Sequence, residues 1–166
     1  MRILVTFGTK LGGTTGIAET IAAVLRSDGH DVDLLPAKAR IQTDAYEAVI
    51  VGGALYANRW HKDARRYITR NRAQLAVRPV WLFSSGPLDD SASEGTIAPT
   101  NQVAHLMDLV GARGHMTFGG RLEPDVKGFP AAAMARENSG DWRDDDQIRA
   151  WAHEVSASLA GAPTGS

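Results

Sequence analysis

Short apolar runs alternate along this chain with longer stretches in which apolar residues recur every three or four positions. The runs predict strands over 3–7, 32–35, 48–52, 80–84 and 115–119. Three of them, within ILVTF, AVIVGG and VWLFSS, are nearly uninterrupted, as in central parallel strands covered on both faces. A helical pattern covers 15–27, where Ile17, Ile21, Val24 and Leu25 share a face and Gly29 stands at a C′ position. Further helices are predicted over 61–75, over 101–110 (closed by Gly111) and over 145–159. The last has a stripe of Ile148, Trp151, Ala152, Val155 and Leu159. This alternation implies an α/β fold in three layers, with a parallel sheet between helices. One domain is expected over 1–160, with a flexible tail over 161–166.

Length and composition narrow the picture. A chain of 166 residues can bury one good core and is too short for two ordinary domains. Its 43% hydrophobic and 22% charged residues argue against disorder. The absence of cysteine removes thiolate nucleophiles and cysteine-held metals. The five histidines show no metal-ligand spacing, so no metal is expected. With 18 basic and 19 acidic side chains, the net charge of −1 supplies no field for nucleic acid and at most peripheral contact with a membrane. Met1-Arg2 leads straight into Ile3, without a signal-like apolar region, and no run approaches the roughly 20 apolar residues of a spanning helix. A cytoplasmic protein is the expectation.

Candidate chemistry begins directly after the first strand, at Gly8-Thr9-Lys10-Leu11-Gly12-Gly13-Thr14-Thr15-Gly16. Glycines allow close backbone approach, and the helix that follows points unpaired amides and the positive end of its dipole at the loop. The hydroxyls of Thr9, Thr14 and Thr15 can donate to phosphate oxygens, and Lys10 adds charge. Any glycine-rich β–α turn shares some of these features; the position, at the first such turn of a doubly wound sheet, favours an anion site. The spacing matches neither GxGxxG nor GxxxxGK[ST], so the dinucleotide and P-loop signatures fail. A single phosphate held by hydroxyls and amides suits a monophosphate ester such as flavin mononucleotide, FMN.

The segment LVTFGTKLGGTTGIAETIA resembles the first strand, phosphate loop and helix of flavodoxins. It is most similar to the bacterial branch that includes menaquinone-dependent protoporphyrinogen dehydrogenases. Thr9, Lys10, Gly12, Gly13 and Thr14 fall on that branch's Ser/Thr-Lys-x-Gly-Ser/Gly-Thr loop, although Gly13 replaces a hydroxyl residue common there. VIVGGALYANRWHKDARRYI, RPVWLFSSGPL, FGGRL and GDWRDDDQIRAWA extend the resemblance over nearly the whole chain. It implies a flavodoxin-like five-stranded sheet of order 2-1-3-4-5 with FMN bound noncovalently.

Two further loops are then candidate flavin contacts. Gly53, Ala54, Leu55, Tyr56, Ala57 and Asn58 follow the third strand, while Ser84, Ser85, Gly86, Pro87 and Leu88 close the fourth. Small residues suit close approach to the ring, and Leu55, Tyr56 and Trp60 offer flat or apolar cover; ordinary packing against the sheet is the competing role of Tyr56 and Trp60. Electron-carrier flavodoxins usually hold the ring between aromatics of these loops, and Leu88 stands where one is expected. One face is thereby left to a substrate.

Electron-carrier flavodoxins are also strongly acidic, unlike this chain. Its charge is uneven: Lys62, Arg65, Arg66, Arg70 and Arg72 are basic, while Glu123, Asp125, Glu137, Asp141, Asp144, Asp145 and Asp146 lie late. Arg59, Lys62 or Arg66 suit an anionic substrate such as a propionate-bearing tetrapyrrole. The resemblance implies an FMN-dependent oxidoreductase that takes hydrogen from a protoporphyrinogen-like substrate and passes electrons to a quinone or other acceptor. An electron-transfer flavodoxin without a substrate, and a flavodoxin-fold protein with altered or lost flavin binding, such as one that takes a deazaflavin, are the alternatives. Residues 122–143 exceed ordinary connections. They are expected to form a lid, with a short helix near Pro130 and with Phe129 and Met134 covering the ring, or else a plain surface excursion.

Overall fold

The computed structural model describes residues 1–9, 12–86, 97–122, 140–141 and 143–161. In chain order these form β1 (Arg2–Gly8), α1 (Gly13–Ser27), β2 (Asp31–Pro36), a 3₁₀ turn (Thr43–Ala45), β3 (Ala48–Tyr56) and β4 (Arg59–Trp60). There follow α2 (Lys62–Arg70), α3 (Arg72–Ala76), β5 (Val80–Ser85), α4 (Asn101–Val110), β6 (Gly114–Phe118), β7 (Arg121–Leu122), β8 (Gly140–Asp141) and α5 (Asp145–Ala160). The five long strands are parallel and ordered β2-β1-β3-β5-β6, which is 2-1-3-4-5 among them. The short β4 pairs antiparallel with β3 at one end.

The central strands are apolar along their length because helices cover both faces. One core joins Ile3, Val5, Ile50 and Phe83 of the sheet to Ile17 and Ile21 of α1 and to Trp151 and Val155 of α5. The other joins Leu4, Val49, Val51 and Leu82 to Ile68 of α2, Leu75 of α3 and Val103 of α4. Helix ends follow their local chemistry. The Thr100 side chain accepts from the Val103 amide at the start of α4, Gly111 closes it at φ +62, and Asp144 accepts from Gln147 at the start of α5.

Two elements differ from the sequence pattern. The helix expected over 61–75 divides at Asn71. Its side-chain amide donates to the Tyr67 carbonyl, and its Oδ1 accepts from the Thr43 hydroxyl, which also lies 2.7 Å from the Tyr67 hydroxyl. This side-chain network competes with the helical ladder. The third strand does not end at residue 52 but runs to Tyr56 and turns back into β4. Ala57 and Asn58, at φ 50 and 65, make the two-residue turn, as a hairpin with two left-handed central residues requires.

The described ends of the long connection, β7 and β8, pair antiparallel, Arg121 with Asp141 and Leu122 with Gly140. The expected lid helix, with Phe129, Pro130 and Met134, lies outside the described residues, as does most of the tail.

Candidate functional site at the carboxyl end of the sheet

The strand ends of β1, β3 and β5 meet at one rim. At the first, α1 starts from Gly12, which lies at φ +85, has no side-chain cap and is followed by no acidic residue in the first turn. Among the described residues no side chain therefore caps the first-turn amides and no carboxylate opposes the positive helix end. A Cβ on Gly12 would meet nothing within 4 Å, so the glycine serves the backbone conformation and the space beside it is open. The Thr9 hydroxyl accepts the Gly12 amide at 3.2 Å, which tightens the loop and leaves the hydroxyl proton for another acceptor.

Thr9 and Thr15 are half-buried and Gly12 is exposed, whereas Gly13 and Thr14 are buried. The Thr14 hydroxyl lies 3.0 Å from that of Ser85, tying the start of α1 to the end of β5. Lys10 lies outside the described residues.

At the second strand end, the segment expected as a loop is the β3–β4 hairpin. Ala54 is buried, Leu55 half-buried, and Tyr56, Ala57 and Asn58 are exposed at its tip. Of its two expected roles Trp60 takes packing against the sheet rather than cover of the ring. It is 1% exposed, and its indole packs over Gly53, where a Cβ would come within 2.5 Å of it. Gly53 is thus small on account of Trp60, and only its backbone remains for a ligand. The indole N–H donates to Ser84 at 2.8 Å, while the Trp60 amide donates to the Gln102 side chain at 2.8 Å.

At the third strand end, Ser84 and Ser85 are both buried. Ser84 continues the chain from Trp60 to His115, whose Nε2 is 2.9 Å away. Burial holds the His115 imidazolium down at about 4, so the ring is neutral at pH 7. Its Nδ1 has no hydrogen-bond partner among the described residues. The Gly86 amide donates to the Phe118 carbonyl, and a Cβ there would come within 2.9 Å of Leu55. Pro87 and Leu88 lie outside the described residues.

His61 bridges two of these ends. Its Nδ1 accepts the Asp63 amide at the start of α2 and lies 3.6 Å from the Asp63 carboxylate. The ring meets Tyr56 edge-on at 6.2 Å, and its Nδ1 is 3.2 Å from the place of a Cβ on Gly8. In the sequence His61 merely follows the second loop. Gln102 and His115 gave no such signal, because each reaches the rim from another element. Beside the first two turns of α1, Gly16, Thr20, Arg143, Asp145 and Ile148 line a cleft of about 240 Å³, with the Arg143 guanidinium directly over Gly16. Among the described residues no histidine and carboxylate cluster could hold a metal ion, and no helix is long and apolar enough to cross a membrane.

A parallel sheet whose order reverses beside β1, with an uncapped helix start at that point, is the arrangement in which open α/β proteins bind ligands. The flavodoxin-domain family model matches residues 4–134, and the chain belongs to that family. A cysteine-to-serine variant of a flavodoxin from Pseudomonas aeruginosa superposes with a TM-score of 0.65 at 18% identity, covering 97% of this chain and 100% of that one. A flavodoxin from the domain Archaea gives 0.65 at 14% identity, over 96% and 99%. Rubredoxin oxygen:oxidoreductase from Desulfovibrio gigas gives 0.63 at 14% identity, over 96% of this chain and 36% of that one. At these identities the structures share the fold. No curated protein sequence matches the chain.

Proposed function

We propose that this chain binds FMN noncovalently at the carboxyl rim and transfers electrons. The observation that carries the reading is the start of α1: a left-handed Gly12 with open space beside it, no capping side chain and no acid in the first turn. An anion there is held by backbone amides and the helix dipole. The donor set fits a phosphate ester. The Thr9 hydroxyl, already accepting from Gly12, keeps its proton for a phosphate oxygen, and Thr15 stands one residue beyond Thr14 in the same turn. The Thr14–Ser85 bond fixes this turn against the end of β5.

FMN, when bound, supplies the redox chemistry, and the protein supplies position and surroundings. The β3–β4 hairpin offers backbone amides and Tyr56, and Trp60 holds the hairpin base from inside. His61, next to both Gly8 and Tyr56, would orient the ring edge or hold a proton at Nε2, since its Nδ1 is taken by the Asp63 amide.

A second reading is oxidation of a protoporphyrinogen-like substrate with a quinone as acceptor. What favours it is the burial of Trp60, which leaves Tyr56 as the exposed aromatic side chain of the hairpin and so one ring face for a substrate. The visible spectrum of the purified protein tests the first reading: flavin bands and one extractable FMN per chain are expected. A deazaflavin spectrum, or no chromophore after incubation with FMN, would overturn it. Anaerobic turnover of protoporphyrinogen with a menaquinone analogue then separates oxidase from carrier.

A further inference from the structure

The chain's near-zero net charge conceals a separation. Residues 57–79 hold seven of the 18 basic side chains and one of the 19 acidic ones, so this stretch carries +6 and the remainder −7. Lys62, Arg66 and Arg70 stand at i, i+4 and i+8 on α2 and form one exposed stripe, with Arg59 before it on β4 and Arg72 after it on α3. The stripe spans about 12 Å of helix. Among the described residues none of these five side chains makes an ion pair or hydrogen bond, whereas Arg2, Arg149 and His153 elsewhere on the surface each meet a carboxylate. Like charges at i,i+4 cost a helix stability, and a cation in its first turn opposes the dipole. Apart from Arg70, whose place in the last turn suits the dipole, the stripe is thus unfavourable for the fold alone.

Its location is specific. α2 begins at the hairpin, with His61 beside Gly8 and Tyr56, so Arg59 and Lys62 lie at the rim where the flavin would sit, and the helix carries Arg66 and Arg70 away from it. We propose that this face of α2 is the docking surface for a partner protein that presents a carboxylate-rich patch. The proposal rests on the electron-transfer reading above. It reverses the charge relationship expected of an acidic carrier: steering here draws an acidic partner to the rim. A lipid surface fits less well. Basic helices that lie in membranes place apolar side chains beside the cations, and the apolar residues of α2, Ala64, Tyr67 and Ile68, are buried against the sheet.

The test is a titration of the ¹⁵N-labelled, FMN-loaded protein with a plant-type acidic ferredoxin as probe. Cytochrome c, phosphatidylglycerol vesicles and succinate serve as counter-probes. Shifts confined to amides of residues 56–72 are expected with the ferredoxin, with affinity falling at least tenfold between low and physiological salt. The folded triple variant Lys62→Glu, Arg66→Glu, Arg70→Glu should lose them. Shifts on another face, shifts that persist in the triple variant, or binding to vesicles alone would overturn the proposal. Equal shifts with succinate would make the stripe a small-anion subsite instead. Failure to load FMN is seen beforehand in the absorption spectrum, and that result sinks the flavin reading rather than the docking surface.

Discussion

The indole of Trp60 fills the space that Gly53 leaves by having no side chain, and its N–H is bonded to Ser84 on the neighbouring strand. A glycine one residue past the expected end of β3 and a tryptophan seven residues later thus hold the hairpin onto the sheet. Gly53→Ala puts a methyl group against the ring and forces the indole away from Ser84. The expected loss is about 1–3 kcal/mol, the usual cost of overpacking, read by urea denaturation together with a red shift of tryptophan emission. An unchanged midpoint would mean that the ring moves at no cost.

Ala57 occupies the left-handed region at φ 50, where an L side chain is strained by about 1–2 kcal/mol. Glycine is free of that strain and costs part of the gain in unfolded-state entropy. Ala57→Gly should stabilise the protein by about 0.5–1 kcal/mol in chemical denaturation, because the turn already has the backbone a glycine prefers. Destabilisation would contradict the hairpin geometry.

His115 gives the fold a component of pH dependence. Its folded pKa is depressed by burial to about 4 from an ordinary 6.5, so the unfolded chain takes up the proton first as pH falls. The contribution is intact above about pH 6.5 and is lost between there and pH 4, amounting to about 3 kcal/mol at most. Carboxylates also titrate in this range, so the comparison is with His115→Gln, which keeps a polar group near Ser84. The variant should lose less stability than wild type between pH 7.5 and 4.5. Parallel curves for the two proteins would show that His115 is solvated.

Three of the five long strands were legible in the sequence because ILVTF, AVIVGG and VWLFSS are covered on both faces, which leaves a continuous apolar run, whereas the sheet order followed from the resemblance to flavodoxins. The hairpin was not, since Ala57-Asn58 lacks the glycine that usually marks such a turn. The division of the 61–75 helix depends on Asn71 meeting Thr43, 28 residues earlier, which periodicity cannot register. At the site, the glycine-rich loop announced the helix start, but the roles of its neighbours did not follow from their types. Thr14 is engaged with Ser85, 71 residues away, and Gly53 accommodates Trp60. Residue type signalled the chemistry available; tertiary pairing decided which groups remain for a ligand.

The central claim is that an anion is held at the start of α1, and comparing FMN with riboflavin tests it most directly. The two share a ring and differ by the phosphate. Titration of the flavin-free protein, followed by quenching of flavin fluorescence, should give an affinity for FMN at least tenfold above that for riboflavin, since charge-assisted hydrogen bonds contribute about 1.5–3 kcal/mol each. Gly12→Val, strained at φ +85, should abolish that preference while far-UV circular dichroism stays that of a folded protein. Equal affinities for FMN and riboflavin in the wild type would contradict the account.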